Sequence, residues 1–187
     1  INKDPRLAIL FGHREQVVVN LHDDYFLVLV EAIINQQLSG KVAAVIYKRV
    51  RTLLNEVVTP GTLLNASFDD LRACGLSARK IEYIQSLANL VDSGEVHFKG
   101  IEEMPNEEII SMLVKIKGIG PWTAEMFLMF SLGREDVFSV LDLGLKNGMK
   151  KLYEREFTKN EALEESEKWI PYRSYVSHYL WHFLENN

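Results

Sequence analysis

Three features of the sequence predict an all-helical fold. Apolar residues recur at three- and four-residue spacing, the mark of one helix face, in segment after segment. Ser, Asp or Asn stands ahead of most of these segments, where the first amides of a helix need an acceptor. Alternating β-branched runs bounded by turn residues are almost absent. With 187 residues, 47% of them hydrophobic, the chain can bury a large core as one ordinary domain or as two lobes sharing that core.

Taken in order, Asp4 to Gly12 reads as a short helix. Asp23 or Asp24 caps the next, Tyr25 to Gln37, whose run FLVLVEAII is apolar nearly all round and therefore belongs at the centre. Ser39-Gly40 opens a helix with Val42, Val45, Ile46, Val50 and Leu53 at helical spacing. Ser67-Phe68-Asp69-Asp70 is a capping box for a short helix that Gly75 ends. Ser77 caps a helix with Ile81, Ile84, Leu87 and Val91 on one face, and Asn106 caps another carrying Ile109, Ile110, Leu113 and Ile116. Helices then run from after Asp142 to about Tyr153, from Asn160 to Lys168 and from Pro171 to Leu184. There is no internal repeat, low-complexity segment or linker.

The stretch from Ile116 to Asp142 organises the rest. Gly118-Ile119-Gly120 lets the backbone turn tightly and approach something outside. Pro121 suits a first helical position, where no amide donor is needed, and Trp122 to Phe130 reads as a buried helix. Amides at that helix start point the same way and suit an anion such as phosphate. A Gly-x-Gly between helices is also an ordinary C-cap and turn. A dinucleotide fingerprint is excluded, because Thr123 stands where the third glycine belongs and the preceding segment is helical.

Composition excludes several other classes. The single cysteine, Cys74, leaves no internal disulfide and no four-cysteine metal or iron–sulfur site. No apolar run reaches membrane-spanning length, and the polar first residues do not read as a signal peptide. The first residue is Ile1 rather than Met, which leaves open whether a segment precedes it. A net charge of -5 argues mildly against non-specific nucleic-acid binding. Two basic clusters, Lys41, Lys48, Arg49, Arg51 and Lys146, Lys150, Lys151, Arg155, read equally as solvated helix faces or phosphate contacts. Ser77-x-x-Lys80 lacks the partner motifs of penicillin-binding enzymes. His178 and His182 share a zinc-like spacing, but Tyr179 stands where a glutamate is needed and no third ligand is evident. Gln36-Gln37 at the end of a buried helix must be hydrogen-bonded or reach a surface; the pair serves as a cap or offers amides to a ligand edge.

Together the motifs Lys117-Gly118-Ile119-Gly120-Pro121-Trp122-Thr123-Ala124, Asp142 about two helical lengths later, AIINQQLSGKVA at Ala32 to Ala43, GLSARK at Gly75 to Lys80 and W-x-PYRSY at Trp169 to Tyr175 span nearly the whole chain. Each is weak alone, but their order is specific. The chain resembles the helix-hairpin-helix/Gly-Pro-Asp superfamily of DNA glycosylases, and within it the AlkA-type 3-methyladenine DNA glycosylases. The resemblance implies the compact form without an N-terminal β-rich domain. The expected fold is a two-lobed helical domain over residues 1–187 with the active-site cleft between lobes. One lobe, of about 35–135, holds the hairpin, and the terminal helices form the other.

The chemistry that the resemblance implies maps residue by residue. Asp142 matches the catalytic aspartate; a fixed carboxylate stabilises the positive charge that builds on the sugar and can orient water. Asp142 also suits an N-cap. Its rivals fit the motif less well: Asp136 sits in a polar turn and Glu125 one turn into a helix. Members that also cut the backbone resemble this pattern with a lysine, the Schiff-base nucleophile, where Trp122 stands. A monofunctional enzyme that leaves an abasic site is therefore expected. The target base must be flipped out of the stack. Gln36, Trp122, Trp181 and His182 are the pocket candidates, His182 equally as a core residue; aromatic faces suit a cationic alkylated purine such as 3-methyladenine or 7-methylguanine. Gln37 falls at the wedge position, where relatives can carry leucine, so Leu38 remains an alternative. Gly118, Gly120, Trp122 and Thr123 are expected to hold a DNA phosphate. No metal is assigned with certainty; a structural cation at the carbonyls of Ile116 and Gly118 is compatible with the family. Arg173 reads as an ion-pairing scaffold residue. No cofactor is expected. The partner is double-stranded DNA containing alkylated bases, with no membrane, and the chain is expected to act as a monomer in the cytoplasm or nucleoid of a bacterium or the nucleus of a eukaryote. The alternatives are a catalytically silent helix-hairpin-helix DNA-binding module and a monofunctional glycosylase for other damaged bases.

Overall fold

The computed structural model describes residues 4–11, 21 and 23–185. It is all-helical, with no strand among the described residues. None of the described helices is long and apolar enough to cross a membrane. The chain divides into two units, His22–Ala124 and Ile1–Leu21 with Glu125–Asn187.

In the central unit, helix α2 (Tyr25–Asn35) follows the short α1 (Leu7–Phe11) in chain order. Asp24, of the two candidate caps, accepts from the Leu27 amide at 2.9 Å. Every residue from Tyr25 to Ile34 is at least partly buried, because α3 (Gly40–Leu53) and α6 (Ala78–Asp92) both pack on α2. The helix ends at Asn35, two residues before the expected Gln37, whose backbone has turned left-handed (φ 57). Lys80 donates to the carbonyl of Ile34 at 2.6 Å, supplying a cation at the helix C-terminus, where the dipole favours one. Burial there lowers the Lys80 pKa.

The expected stripe on α3 is offset. Ala43, Ile46 and Val50 are buried, whereas Val42 and Val45 are 47% and 50% exposed. Both stripes contain Ile46 and Val50 at helical spacing, and only the neighbouring helices choose between them. α4 (Pro60–Asn65) was not expected from periodicity; it is too short to show one, although Thr59 caps it and Pro60 stands at its start. α5 (Phe68–Ala73) starts at Ser67, whose hydroxyl accepts from the Asp70 amide at 3.0 Å and donates to the Asp70 carboxylate at 2.6 Å. On α6, capped by Ser77, Ile81, Ile84, Leu87 and Ala88 are buried, while Val91 is only partly so. α7 (Asn106–Leu113) takes Pro105, not Asn106, as its N-cap, with no side-chain cap bond. The ring of Pro105 fixes its φ, and with ψ at 146° the residue is the extended entry to the helix, so Asn106 becomes the first helical residue.

α8 (Pro121–Phe130) begins at Pro121 as expected. Its middle is buried at Ala124, Phe127, Leu128 and Met129, but Trp122 and Phe130 are 44% and 41% exposed, so it is not buried throughout. The division between units falls within this helix. The central unit thus begins and ends earlier than the expected 35–135. α2 packs with α3 and α6, and from Glu125 onward α8 meets its own unit, where Ser139 of the following loop donates to Glu125 and the Phe130 ring stacks on Trp181 of α11.

The other unit contains α1, α9 (Leu143–Tyr153), α10 (Lys159–Ser166) and α11 (Arg173–Glu185). The expected extension of α1 to Gly12 lies outside the described residues. α10 starts and stops earlier than Asn160 to Lys168: Thr158 and Glu161 close a capping box, and a 3-10 turn takes over at Glu167–Trp169. α11 starts at Arg173 rather than Pro171. Its core gathers Leu10, Phe138, Leu145, Met149, Trp169 and Leu180. Two glycines one turn apart on α9 let α11 come close: a Cβ on Gly148 would lie 3.0 Å from the carbonyl oxygen of Leu180, and one on Gly144 would lie 2.7 Å from the Trp181 ring. Arg173 grips Asp136 with two nitrogens at 2.7 and 3.0 Å, the scaffold ion pair that the sequence suggests.

The offset on α3 is open to direct measurement. Val50→Ala should lower unfolding free energy by about 2 kcal/mol, whereas Val42→Ala should stay within about 0.5 kcal/mol. Denaturant unfolding of both variants distinguishes the two faces.

Candidate functional site

In the central unit, α7 leads through buried Ile116 into the turn Lys117–Gly120 and on to α8. The Ile119 amide bonds the carbonyl of Ile116 at 3.0 Å, and the Lys117 amide bonds the hydroxyl of Ser86 at 3.2 Å, so the turn is fixed from within and from α6. Gly118 has φ +81, and a Cβ there would sit 2.1 Å from the Tyr83 ring, so both conformation and space demand glycine. Gly120 differs. Nothing lies within 4 Å of its would-be Cβ, and its backbone faces open space at the start of α8. Trp122 and Thr123 occupy the first turn of α8.

Gln36, expected in a base pocket, donates from Nε2 to the carbonyl of Gly118 at 2.9 Å. The bond brings the end of α2 onto the hairpin across a long sequence separation, which no local pattern could reveal. Gln37 is exposed and left-handed at φ 57, a conformation that costs a non-glycine residue free energy. Leu38 is 37% exposed. The two carbonyls suggested for a cation, Ile116 and Gly118, each accept one hydrogen bond, from Ile119 and Gln36. A carbonyl oxygen has a second lone pair, and hard cations accept such oxygens alongside water.

In the other unit, Asp142 is only 9% exposed and sits at the N-cap of α9. Its Oδ1 accepts from the Leu145 amide at 2.7 Å and from the Trp181 indole at 2.8 Å. Of the two roles that the sequence allows it, the N-cap is the one seen directly. The Trp181 ring stacks on Phe130 with centroids 5.8 Å apart, and the edge of His178 meets both rings, at 5.1 Å from Phe130 and 5.6 Å from Trp181. Burial lowers the His178 pKa, favouring the neutral imidazole. His182, one residue beyond Trp181, is half-buried. Glu125 is held by the hydroxyl of Ser139 at 2.5 Å. Its pKa is raised chiefly by burial; the Ser139 bond opposes this, and the negative charge of Asp142 adds to it. Asp136, the other rival carboxylate, is occupied by Arg173.

A cavity of about 300 Å³ opens beside Asp142. Phe138, Val140, Leu141, Leu143, Met149 and Phe157 supply apolar walls, and Lys146 and Lys159 two cations. Trp181 and His182 do not line it. Among the described residues no group of three or more His, Cys, Asp or Glu could hold a metal. In the second basic cluster Lys150 pairs with Glu156 at 2.5 Å and Arg155 with Glu161 at 3.0 Å, while Lys151 lies over the Phe183 ring. These contacts favour the solvated-face reading there. Ser77 and Lys80 have the local structural roles described above, cap and helix C-terminus. Sequence reasoning passed over Gly144 and gave Phe130 and His178 no part beside Trp181. The signal for the first was present, since two glycines four apart inside a helix cost about 1 kcal/mol each and point to close packing.

Residues 30–172 match the HhH-GPD superfamily of base excision DNA repair proteins. The chain is 40% identical over 158 residues to DNA-3-methyladenine glycosylase 1 of Schizosaccharomyces pombe, covering 82% of this chain and 69% of that protein. A crystal structure of a DNA-3-methyladenine glycosidase from Bacillus halodurans superposes with a TM-score of 0.91 at 39% identity, over 99% of this chain and 87% of that one. A 3-methyladenine DNA glycosylase of Schizosaccharomyces pombe in complex with abasic DNA gives 0.81 at 35% identity, over 95% and 90%. The chain belongs to the HhH-GPD superfamily of base excision DNA repair proteins.

Gly118→Ala should disrupt the hairpin, because the new methyl group must displace Tyr83 and sit at a positive φ. A fall in thermal midpoint of several degrees is expected, with weakened affinity for duplex DNA. Gly120→Ala should leave the midpoint within about a degree, since it meets nothing in the protein.

Proposed function

We propose that the protein is a monofunctional DNA glycosylase of base excision repair. It flips alkylated purines such as 3-methyladenine and 7-methylguanine out of double-stranded DNA, hydrolyses the N-glycosidic bond and leaves an abasic site. The names of the relatives and the abasic DNA held by one of them support the class of substrate and product. The observation that carries the mechanism is Asp142: a carboxylate buried to 9% exposure, with two hydrogen-bond donors fixing one oxygen. A DNA-binding module without catalysis has no use for a buried charge beside phosphates, which disfavours the silent-module reading.

In this reading, the bond between C1′ and the base nitrogen breaks and its electron pair leaves with the base. A cationic purine departs neutral and needs no general acid. Positive charge gathers on the sugar, and the Asp142 carboxylate stabilises it electrostatically. Water then adds to C1′ and gives up a proton. Low exposure strengthens that interaction, because less solvent screens the charge.

The other roles follow the family pattern. Gln36, Trp122, Trp181 and His182 are assigned to the base pocket; for Gln36, the bond to Gly118 makes its share a fixed amide rather than a mobile one. Gln37 or Leu38 is the wedge that fills the vacated stack, and the strained backbone of the first and the exposure of the second support either. Gly118, Gly120, Trp122 and Thr123 are assigned to a phosphate, supported by the open space at Gly120 and the helix start beyond it. A cation bound through the carbonyls of Ile116 and Gly118 would add positive charge to that phosphate contact. Trp122 occupies the place of the lyase lysine and has no amine, which supports hydrolysis without strand cleavage.

Base release from methylated duplex DNA tests the proposal. The wild-type chain should release 3-methyladenine or 7-methylguanine, and Asp142→Asn should lose at least about two orders of magnitude in rate while still binding an abasic duplex. Wild-type-like release by the variant would remove Asp142 from the mechanism.

The hydrolytic outcome has its own assay. Incubation with damaged DNA and borohydride should trap no covalent protein–DNA adduct, as read by a gel shift under denaturing conditions. A trapped adduct would mean that an amine attacks the sugar.

A further inference from the structure

We propose that Trp181 acts on the reaction as a positioning residue, through its indole N–H, and that Gly144 exists to let it do so. This inference rests on the glycosylase reading above and extends it. The Trp181 Nε1 donates to Asp142 Oδ1 at 2.8 Å, on the same oxygen that the Leu145 amide bonds at 2.7 Å. Two donors from two different helices, α9 and α11, therefore converge on one carboxylate oxygen. A single donor leaves the carboxylate able to rotate about its bond to Cβ; a second from another direction fixes its plane.

The approach is possible only because residue 144 has no side chain. A Cβ there would sit 2.7 Å from Trp181 Cδ1, 2.8 Å from its Nε1 and 3.0 Å from Asp142 Oδ1. Any side chain would separate donor from acceptor. Gly144 lies within a helix and its φ is not positive, so conformation does not explain the glycine. The indole is steadied on its other parts by the stacked Phe130 ring and the edge of His178. One aromatic residue thus orients the acid by its N–H, a contribution separate from any stacking on a base.

The test uses two duplexes that carry no base at the target position. One has a pyrrolidine in place of the sugar, cationic like the reacting centre; the other has a neutral tetrahydrofuran. Asp142 should make the wild-type chain prefer the cationic duplex. Trp181→Phe keeps a ring and removes the N–H, and should reduce that preference about tenfold, with affinity for the neutral duplex and the thermal midpoint little changed. The single-turnover rate on methylated DNA should fall by a similar factor while half-saturation stays put. Gly144→Ala should reproduce the loss with Trp181 intact. Because neither duplex has a base, loss of a stacking wall alone would leave the preference unchanged in Trp181→Phe, and that result would overturn the inference. So would an unchanged preference in Gly144→Ala. Failure of the wild-type chain to release any methylated base, or to prefer the cationic duplex, would instead refute the glycosylase reading itself.

Discussion

A carboxylate with little access to water must be held by hydrogen bonds, and much of this protein is arranged to hold Asp142. Its desolvation is tolerable only because donors replace the water. One donor comes from the helix that Asp142 itself starts, the Leu145 amide, and the other from α11, the Trp181 indole. That second donor imposes conditions in turn. α11 must lie close to α9, which Gly144 and Gly148 permit, and α11 must start in the right place, where Arg173 is fastened to Asp136 and Ser174 to the backbone of Arg134 in the loop after α8. The loop that delivers Asp142 is steadied by Ser139 and Glu125.

The hairpin obeys a different constraint, one of backbone conformation. Its geometry is set at Gly118, where a left-handed turn packs under Tyr83, and it is braced by the Gln36 side chain from the end of α2. Gly120 is left open. The two glycines of the same motif therefore serve opposite ends, one to fit the protein against itself and one to keep the surface bare. α8 begins at this turn and ends with Phe130 against Trp181, so one helix carries residues of both constraints.

Neutral and charged features separate in a way that suits a chain of net charge -5 binding an anionic polymer. Several surface lysines and arginines are engaged by neighbouring glutamates, as at Lys150, Arg155 and Arg51. Such exposed pairs add little stability. In the proposed reading phosphate is held by backbone amides, whose partial charge does not depend on net composition.

The helical class, most caps and the order of the motifs were legible in the sequence, because each depends on near neighbours: Asp24, Ser67 and Ser77 cap residues three positions on, and Pro121 starts the helix it belongs to. Asp142 could be picked out through its place in the motif order, and its suitability as an N-cap is likewise a matter of near neighbours. What the sequence left undecided rests on contacts between distant segments. Which stripe of α3 is buried depends on α2 and α6. The end of α2 at Asn35 is set with Lys80, which reaches back to Ile34 from another helix. Gln36 meets Gly118, and Trp181 meets Asp142, only once the helices pack. Local chemistry determines where a helix starts and what it can offer; which oxygen its side chains meet is decided by tertiary packing, since hydrogen bonds at 2.8 Å tolerate almost no displacement of the helices that carry them.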